Sequence, residues 1–284
     1  MQTVRVNPDR AYIRTIVTNT QVTLIQIDNY GPWTVTPSPR REVDLQSMQS
    51  RLFADLSQQF GAHGGYTFFT RFDNMIAVTN GMDVSDHARI QESIGNRYPV
   101  TVSMAIGHGP SPAEALIEAT ARLQDQGSAQ DRDRREELLG STLSHEERTD
   151  EDVQIAHFDV IDATGKYTDE LDAFSTFIHI EQGYAALMRH LHDEYGGLAF
   201  FVGGDNVIGV CPALEPEDYE AIIDHVEATA DVTLQVGIAR GTTAYDAGMA
   251  AKHGLETCRE EGTRVEGILE STAAEQPAEQ PGRF

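Results

Sequence analysis

Four aspartates stand at matched places in the chain. Asp28 and Asp159 each close a β-branched run, residues 22–28 and 153–159. Asp73 and Asp205 each precede an asparagine, Asn74 and Asn206, at the tip of what reads as a hairpin. In a sheet where that strand lies beside that hairpin, the two carboxylates of each set meet at one edge. Two close carboxylates repel and invite a cation. Oxygen ligands without a Cys or His framework select Mg²⁺ or Mn²⁺ over zinc. A hard metal with positions left for phosphate oxygens is how phosphoryl-transfer sites are built. An Asp-Asn pair is also a good turn in its own right; its recurrence with a strand-end aspartate favours metal binding. His157 lies two residues before Asp159, on the same strand face. It reads as a packed histidine or a proton shuttle, and Gln26 holds the equivalent position.

The segment after Asp28 carries Asn29, Tyr30, the only Trp (Trp33), and then Arg40 and Arg41 just before a helix. Helix N-termini with nearby arginines bind phosphate, and Tyr30 or Trp33 offers a face for a purine. Arg71 stands beside the Asp73 turn. Lys166, in Thr164-Gly165-Lys166, takes the corresponding place after the second strand, without the glycine-rich lead-in of a P-loop.

These residues need a scaffold, and the chain repeats itself to supply one. GGYTFFTRFDNMIAV from Gly64 and GGLAFFVGGDNVIGV from Gly196 match at an offset of 132, as do the stretches from Thr101 and Thr233. The strands ending in Asp28 and Asp159 match at 131. Each unit reads as strand, amphipathic helix (Leu45, Met48, Leu52, Leu56, Phe60 in the first), hairpin, helix, strand, then a third helix. The fold class is therefore α+β: two tandem ferredoxin-like βαββαβ modules, antiparallel sheets with helices on one face. The divisions are an N-terminal extension (1–20), a first module (21–130), a charged and helical connector (131–152), a second module (153–270) and a disordered tail (271–284).

Composition narrows the partners. Asp and Glu number 45 against 21 Lys and Arg, a net charge of −24, and the only lysines are Lys166 and Lys252. So acidic a surface repels nucleic acid and anionic membranes, and it suits a salt-adapted, halophilic cytosol. Cys211 and Cys258 are too few for a zinc motif and read as reduced thiols. With no signal-like or membrane-spanning run, the expected location is cytoplasmic.

Several longer motifs then carry a resemblance. QIDNYGPWTVTP (Gln26 to Pro37), RFDN (Arg71 to Asn74), RIQES (Arg89 to Ser93) with NRYP (Asn96 to Pro99), GSAQD (Gly127 to Asp131) and GGDN (Gly203 to Asn206) resemble the archaeal GTP cyclohydrolase III (IIa) family, in order and over nearly the whole chain. The resemblance implies palm-like modules related to nucleotidyl cyclases. It implies hydrolytic opening of the GTP imidazole ring with release of phosphate, giving 2-amino-5-formylamino-6-(5-phosphoribosylamino)pyrimidin-4(3H)-one, a riboflavin and deazaflavin precursor. It also implies Mg²⁺, activation by a monovalent cation such as K⁺, and a homo-oligomer. Asp28, Asp73, Asp159 and Asp205 are then the candidate metal ligands and catalytic acids, with His157. Asn29, Asn74, Asn206, Arg40, Arg41, Arg71 and Lys166 are the candidate substrate contacts. A nucleotidyl cyclase is the main alternative, though Asn206 stands where diguanylate cyclases carry a further acid. A non-catalytic nucleotide sensor is the other.

Overall fold

The computed structural model describes residues 19–148 and 153–268. The N-terminal extension up to residue 18, the end of the connector and the tail lie outside the described residues. The first unit runs β1 (Thr20–Ile27), a short α1 (Tyr30–Val35), α2 (Glu42–Gly61), β2 (Tyr66–Phe69), β3 (Asn74–Val78), α3 (Val84–Arg97), β4 (Val102–Gly109), α4 (Pro112–Asp125) and β5 (Leu138–Leu139). The second runs β6 (Val153–Val160), α5 (Ala173–Tyr195), β7 (Leu198–Gly203), β8 (Asn206–Cys211), α6 (Pro216–Ala230), β9 (Leu234–Gly241), α7 (Ala244–Glu261) and β10 (Val265–Ile268). The sheet orders, β2-β3-β1-β4-β5 and β7-β8-β6-β9-β10, are the same topology twice. The βαββαβ core is antiparallel, and the added edge strands β5 and β10 pair parallel.

Strand alternation decides what faces what. Ile25 and Ile27 point toward α2 and α3, where Leu52, Leu56, Phe60, Ile90 and Ile94 close a core. Each such fully buried side chain contributes about 1.5–3 kcal/mol. The other parity of β1, Val22 and Leu24, packs with α4; Val153 and Ile155 of β6 pack with α7, and all join one shared cluster. Gln26 and Asp28, and likewise His157 and Asp159, continue that second face toward the strand ends.

The two sheets meet through repeat-related residues. Phe68 stacks on Phe200, its own counterpart at offset 132, with centroids 4.2 Å apart and planes 5° from parallel. The Ala113 amide donates to the Gly196 carbonyl at 3.0 Å, and the Tyr245 amide to the Gly64 carbonyl at 3.1 Å. These are one contact made twice, so the modules dock about a local pseudo-twofold axis.

The expected helical connector is not formed. Residues 131–148 are mostly irregular and touch the first sheet through a two-residue strand. Leu138 and Leu139 pair with Met104 and Ala105, and the Met104 amide donates to the Glu137 carbonyl at 2.7 Å. Among the described connector residues, only a 3₁₀ turn at His145–Glu147 is helical. Charged composition concealed a strand of two residues.

Candidate functional site

The first strand end is tightly satisfied. Asp28 accepts hydrogen bonds from the hydroxyls of Ser103 at 2.6 Å and Thr101 at 2.8 Å, and from the Glu136 amide at 2.9 Å. Arg134 lies 3.6 Å away, its side chain 3% exposed against 1% for Asp28, and donates also to Gln26 Oε1 at 3.0 Å. Breaking such a buried pair leaves an uncompensated charge. Asp28 lines one cavity with Asn29, Arg132 and Arg135, whereas Asp73 lines another with Tyr30, Arg71 and Asn74. The Ile27 amide donates to the Asp73 carbonyl at 3.0 Å, so Asp28 and Asp73 stand at the same end of the sheet. Donors from the chain already engage both Asp28 oxygens.

The second strand end is different. Asp159 is paired with Arg259 at 2.8 Å and accepts from Gln235 Nε2 at 2.9 Å. Burial raises the Asp205 pKa, and the nearby Asp159 charge raises it further, with Arg259 partly offsetting both. Asn206 Nδ2 donates to Asp205 at 3.2 Å, so its Oδ1 accepts from His157 Nε2 at 3.0 Å. That assigns the imidazole proton to Nε2 and leaves Nδ1, which is buried without a partner, as an acceptor. Burial keeps this ring neutral by lowering its pKa; Asn206 and Asp159 oppose that, while Lys252 and Arg259 add to it. Among the described residues no three His, Cys, Asp or Glu side chains gather in a metal cluster. Asp159 and Asp205 are two carboxylates within electrostatic reach of one another.

The cationic candidates scatter. Arg40 lies over the Trp33 ring at 4.0 Å and donates from Nη1 to the Trp33 and Thr36 carbonyls, contacts that tie the loop together. Arg41 is exposed and paired with Asp44 at 2.8 Å. Arg71 pairs with Asp73 at 3.5 Å. Lys166 lies over Tyr167 and donates to the Asp231 carbonyl at 3.4 Å, among none of the contacts of the second aspartate pair. Asn29 adopts φ +50° at the start of α1, its Oδ1 buried and unpaired. Sequence reading missed Arg134 and Arg259, the counter-charges of the two strand-end aspartates, and Arg132 and Arg135, which make no ion pair or hydrogen bond with the described residues. Arg132, Arg134 and Arg135 lie in the connector. Their one signal was that the run follows GSAQD directly.

No helix among the described residues is long and apolar enough to cross a membrane. A family model described as GTP cyclohydrolase III matches residues 22–274. The chain is 70% identical over 250 residues to GTP cyclohydrolase III 1 of Halobacterium salinarum, covering 88% of this chain and 98% of that protein. It is 65% identical over 250 residues to GTP cyclohydrolase III of Natronomonas pharaonis, at 88% and 99% coverage. Against GTP cyclohydrolase III of Methanocaldococcus jannaschii it is 50% identical over 239 residues, covering 84% and 88%.

Proposed function

This chain belongs to the GTP cyclohydrolase III family, and from that premise we propose that it opens the imidazole ring of GTP with retention of the formyl group and loss of phosphate, at the second strand end. The observation that carries this reading is the chain Asp205–Asn206–His157 beside Asp159 and Arg259. Hydrolysis at C8 needs a water activated by a base, since that carbon is a weak electrophile. His157 Nδ1, an unpaired acceptor held in a fixed tautomer, is the candidate base for that water. Arg259 neutralises Asp159 and steadies charge that grows on phosphate oxygens as they leave. Asp159 and Asp205 would hold Mg²⁺, which when bound supplies charge stabilisation to the phosphates. Potassium as activator suits a chain of net charge −24.

The test incubates the protein with GTP, Mg²⁺ and molar KCl. The expected outcome is phosphate release together with replacement of the guanine absorbance by a formamidopyrimidine spectrum. Asp205→Asn is expected to lower kcat by about 100-fold or more. A cyclic nucleotide or pyrophosphate as product would overturn the reading in favour of a cyclase. Tight GTP binding without turnover would favour a sensor.

A further inference from the structure

The helices on the far side of the second sheet carry two histidines that the proposed chemistry leaves unused. α5 and α6 pack on the face of that sheet to which Phe158 and Val160 point, opposite to His157 and Asp159. Leu187 and Leu191 of α5 and Ile222 and Val226 of α6 are fully buried in the cluster there. His190 stands three residues after Leu187, and His225 three after Ile222. Helical spacing therefore sets both at the rim of one helix–helix seam. Their rings stack face to face, with centroids 3.7 Å apart and planes 5° from parallel. Both residues are half-buried.

The pair is not a by-product of the repeat. Leu187 and Leu191 match Leu56 and Phe60 of α2 at an offset of 131, so Gln59 stands where His190 does. Ile222 and Val226 match Ile90 and Ile94 of α3 at 132, so Ser93 stands where His225 does. The first module packs the same helices without either ring. Among the described residues, no ring nitrogen of His190 or His225 makes a hydrogen bond. Burial, and next the neighbouring His225, lower the His190 pKa, with Glu194 opposing. Neutral imidazole is the form that binds metal. Tyr195 meets the His190 ring edge-on at 5.7 Å. Its pKa is raised first by burial and then by Asp218 of α6 and Glu194, so two carboxylates lend the place a negative field.

Two adjacent imidazoles from two helices can supply two nitrogens to one ion. A tetrahedral ion with bonds of about 2.0–2.1 Å holds its nitrogens about 3.3 Å apart, close to the ring spacing. Lone pairs lie in the ring planes, so the parallel rings must turn about Cβ–Cγ to converge. That torsion is broad in histidine, and no hydrogen bond among the described residues resists it. Imidazole selects zinc, copper or nickel over the hard ions Mg²⁺ and K⁺, so the pair discriminates even in concentrated salt. We propose that His190 and His225 form a binding site for a divalent cation of the zinc class, which clasps α5 to α6 across the sheet from the candidate functional site, with water completing its shell. This goes beyond the reading of the chain as a GTP-opening enzyme and does not depend on it.

The test titrates the full chain, stripped of metal with EDTA and dialysed into molar KCl with excess MgCl₂ at neutral pH, with ZnCl₂ by calorimetry. One saturable zinc site per chain is expected, with a rise in Tm, since an ion bound only by the folded chain stabilises it. Binding should weaken as pH falls below the ordinary imidazole pKa of about 6.5, where protons compete. His190→Gln and His225→Gln are each expected to weaken zinc about tenfold or more by ending the chelation, and to leave the metal-free Tm nearly unchanged. His192→Gln removes a neighbouring exposed imidazole paired with Asp193 and is expected to bind zinc as before. Should a stack variant fail to fold, NMR of the unaltered chain carries the test: the two histidine rings in mutual nuclear Overhauser contact are expected to shift with zinc. No zinc binding by the unaltered chain, undiminished binding in both folded stack variants, loss in His192→Gln instead, unshifted stack resonances, or displacement of zinc by Mg²⁺ would each overturn the assignment. Failure to open GTP would count against the functional reading and leave this site standing.

Discussion

A histidine's neighbours decide which nitrogen is available, and two histidines in this protein illustrate opposite uses. His157 is fixed by Asn206 so that one nitrogen stays open. His87 has both nitrogens engaged: Nδ1 with the Asp83 carbonyl at 2.7 Å and Nε2 with the Thr23 hydroxyl at 2.8 Å. His87 is fully buried, and burial lowers its pKa from the ordinary 6.5, only partly opposed by Asp83 and Asp86. The unfolded chain therefore binds this proton more readily than the folded one. The stabilisation is fully present above pH 6.5 and is lost as pH falls from there toward the folded pKa, at up to about 1.4 kcal/mol per pH unit for one group. Denaturant unfolding across that window should show this decline, and His87→Asn, which keeps a donor for Asp83 but does not titrate, should flatten it. An unchanged slope would remove His87 from the account. At this scale the sequence announced the aspartates, because strand ends and turns have local signatures. Arg134 and Arg259 were not readable, since each meets its aspartate from about a hundred residues away.

Helix placement turns on small residues. On β4, a Cβ at Gly107 would lie 2.1 Å from the Ala115 carbonyl oxygen of α4; on β9, one at Gly237 would lie 2.0 Å from that of Ala251 in α7. Each helix rests almost directly on a strand backbone, which is why Ala115, Ala119, Ala247 and Ala251 are fully buried there. Gly237→Ala should therefore cost about 3 kcal/mol or more, as backbone must move against backbone. Gly61→Ala, with nothing within 4 Å of the added carbon at the end of α2, should be neutral or slightly stabilising. Comparing the two by chemical denaturation checks the claim, and equal effects would contradict it. The helices themselves were readable from periodicity: α2 buries Leu45, Leu52, Leu56 and Phe60 as their spacing requires. The strand in the connector was not, because β5 is two residues long and its pairing to β4 is non-local.

Across the whole molecule, a net charge of −24 opposes compaction. Screening shortens from about 10 Å at 0.1 M salt to about 3 Å at 1 M, so raising KCl through that range should stabilise the fold by a few kcal/mol, read as a rise in Tm on the order of 10 °C. A Tm indifferent to KCl would show that the acids are already balanced locally. The repeat offset predicted two like modules, and the matching sheet orders agree with it. It could not predict that like residues would touch like, because a repeat specifies a fold and not its docking. The buried Asp28 also sets a constraint on the order of synthesis. The strand that ends in Asp28 emerges from the ribosome early, yet the Arg134 guanidinium and the Glu136 amide that satisfy it follow more than a hundred residues later. Until they arrive, the nascent sheet carries an unbalanced acid at its centre. The first module therefore reaches its final form only as the chain passes into the second, and a fragment cut at residue 130 would stop one step short of folding.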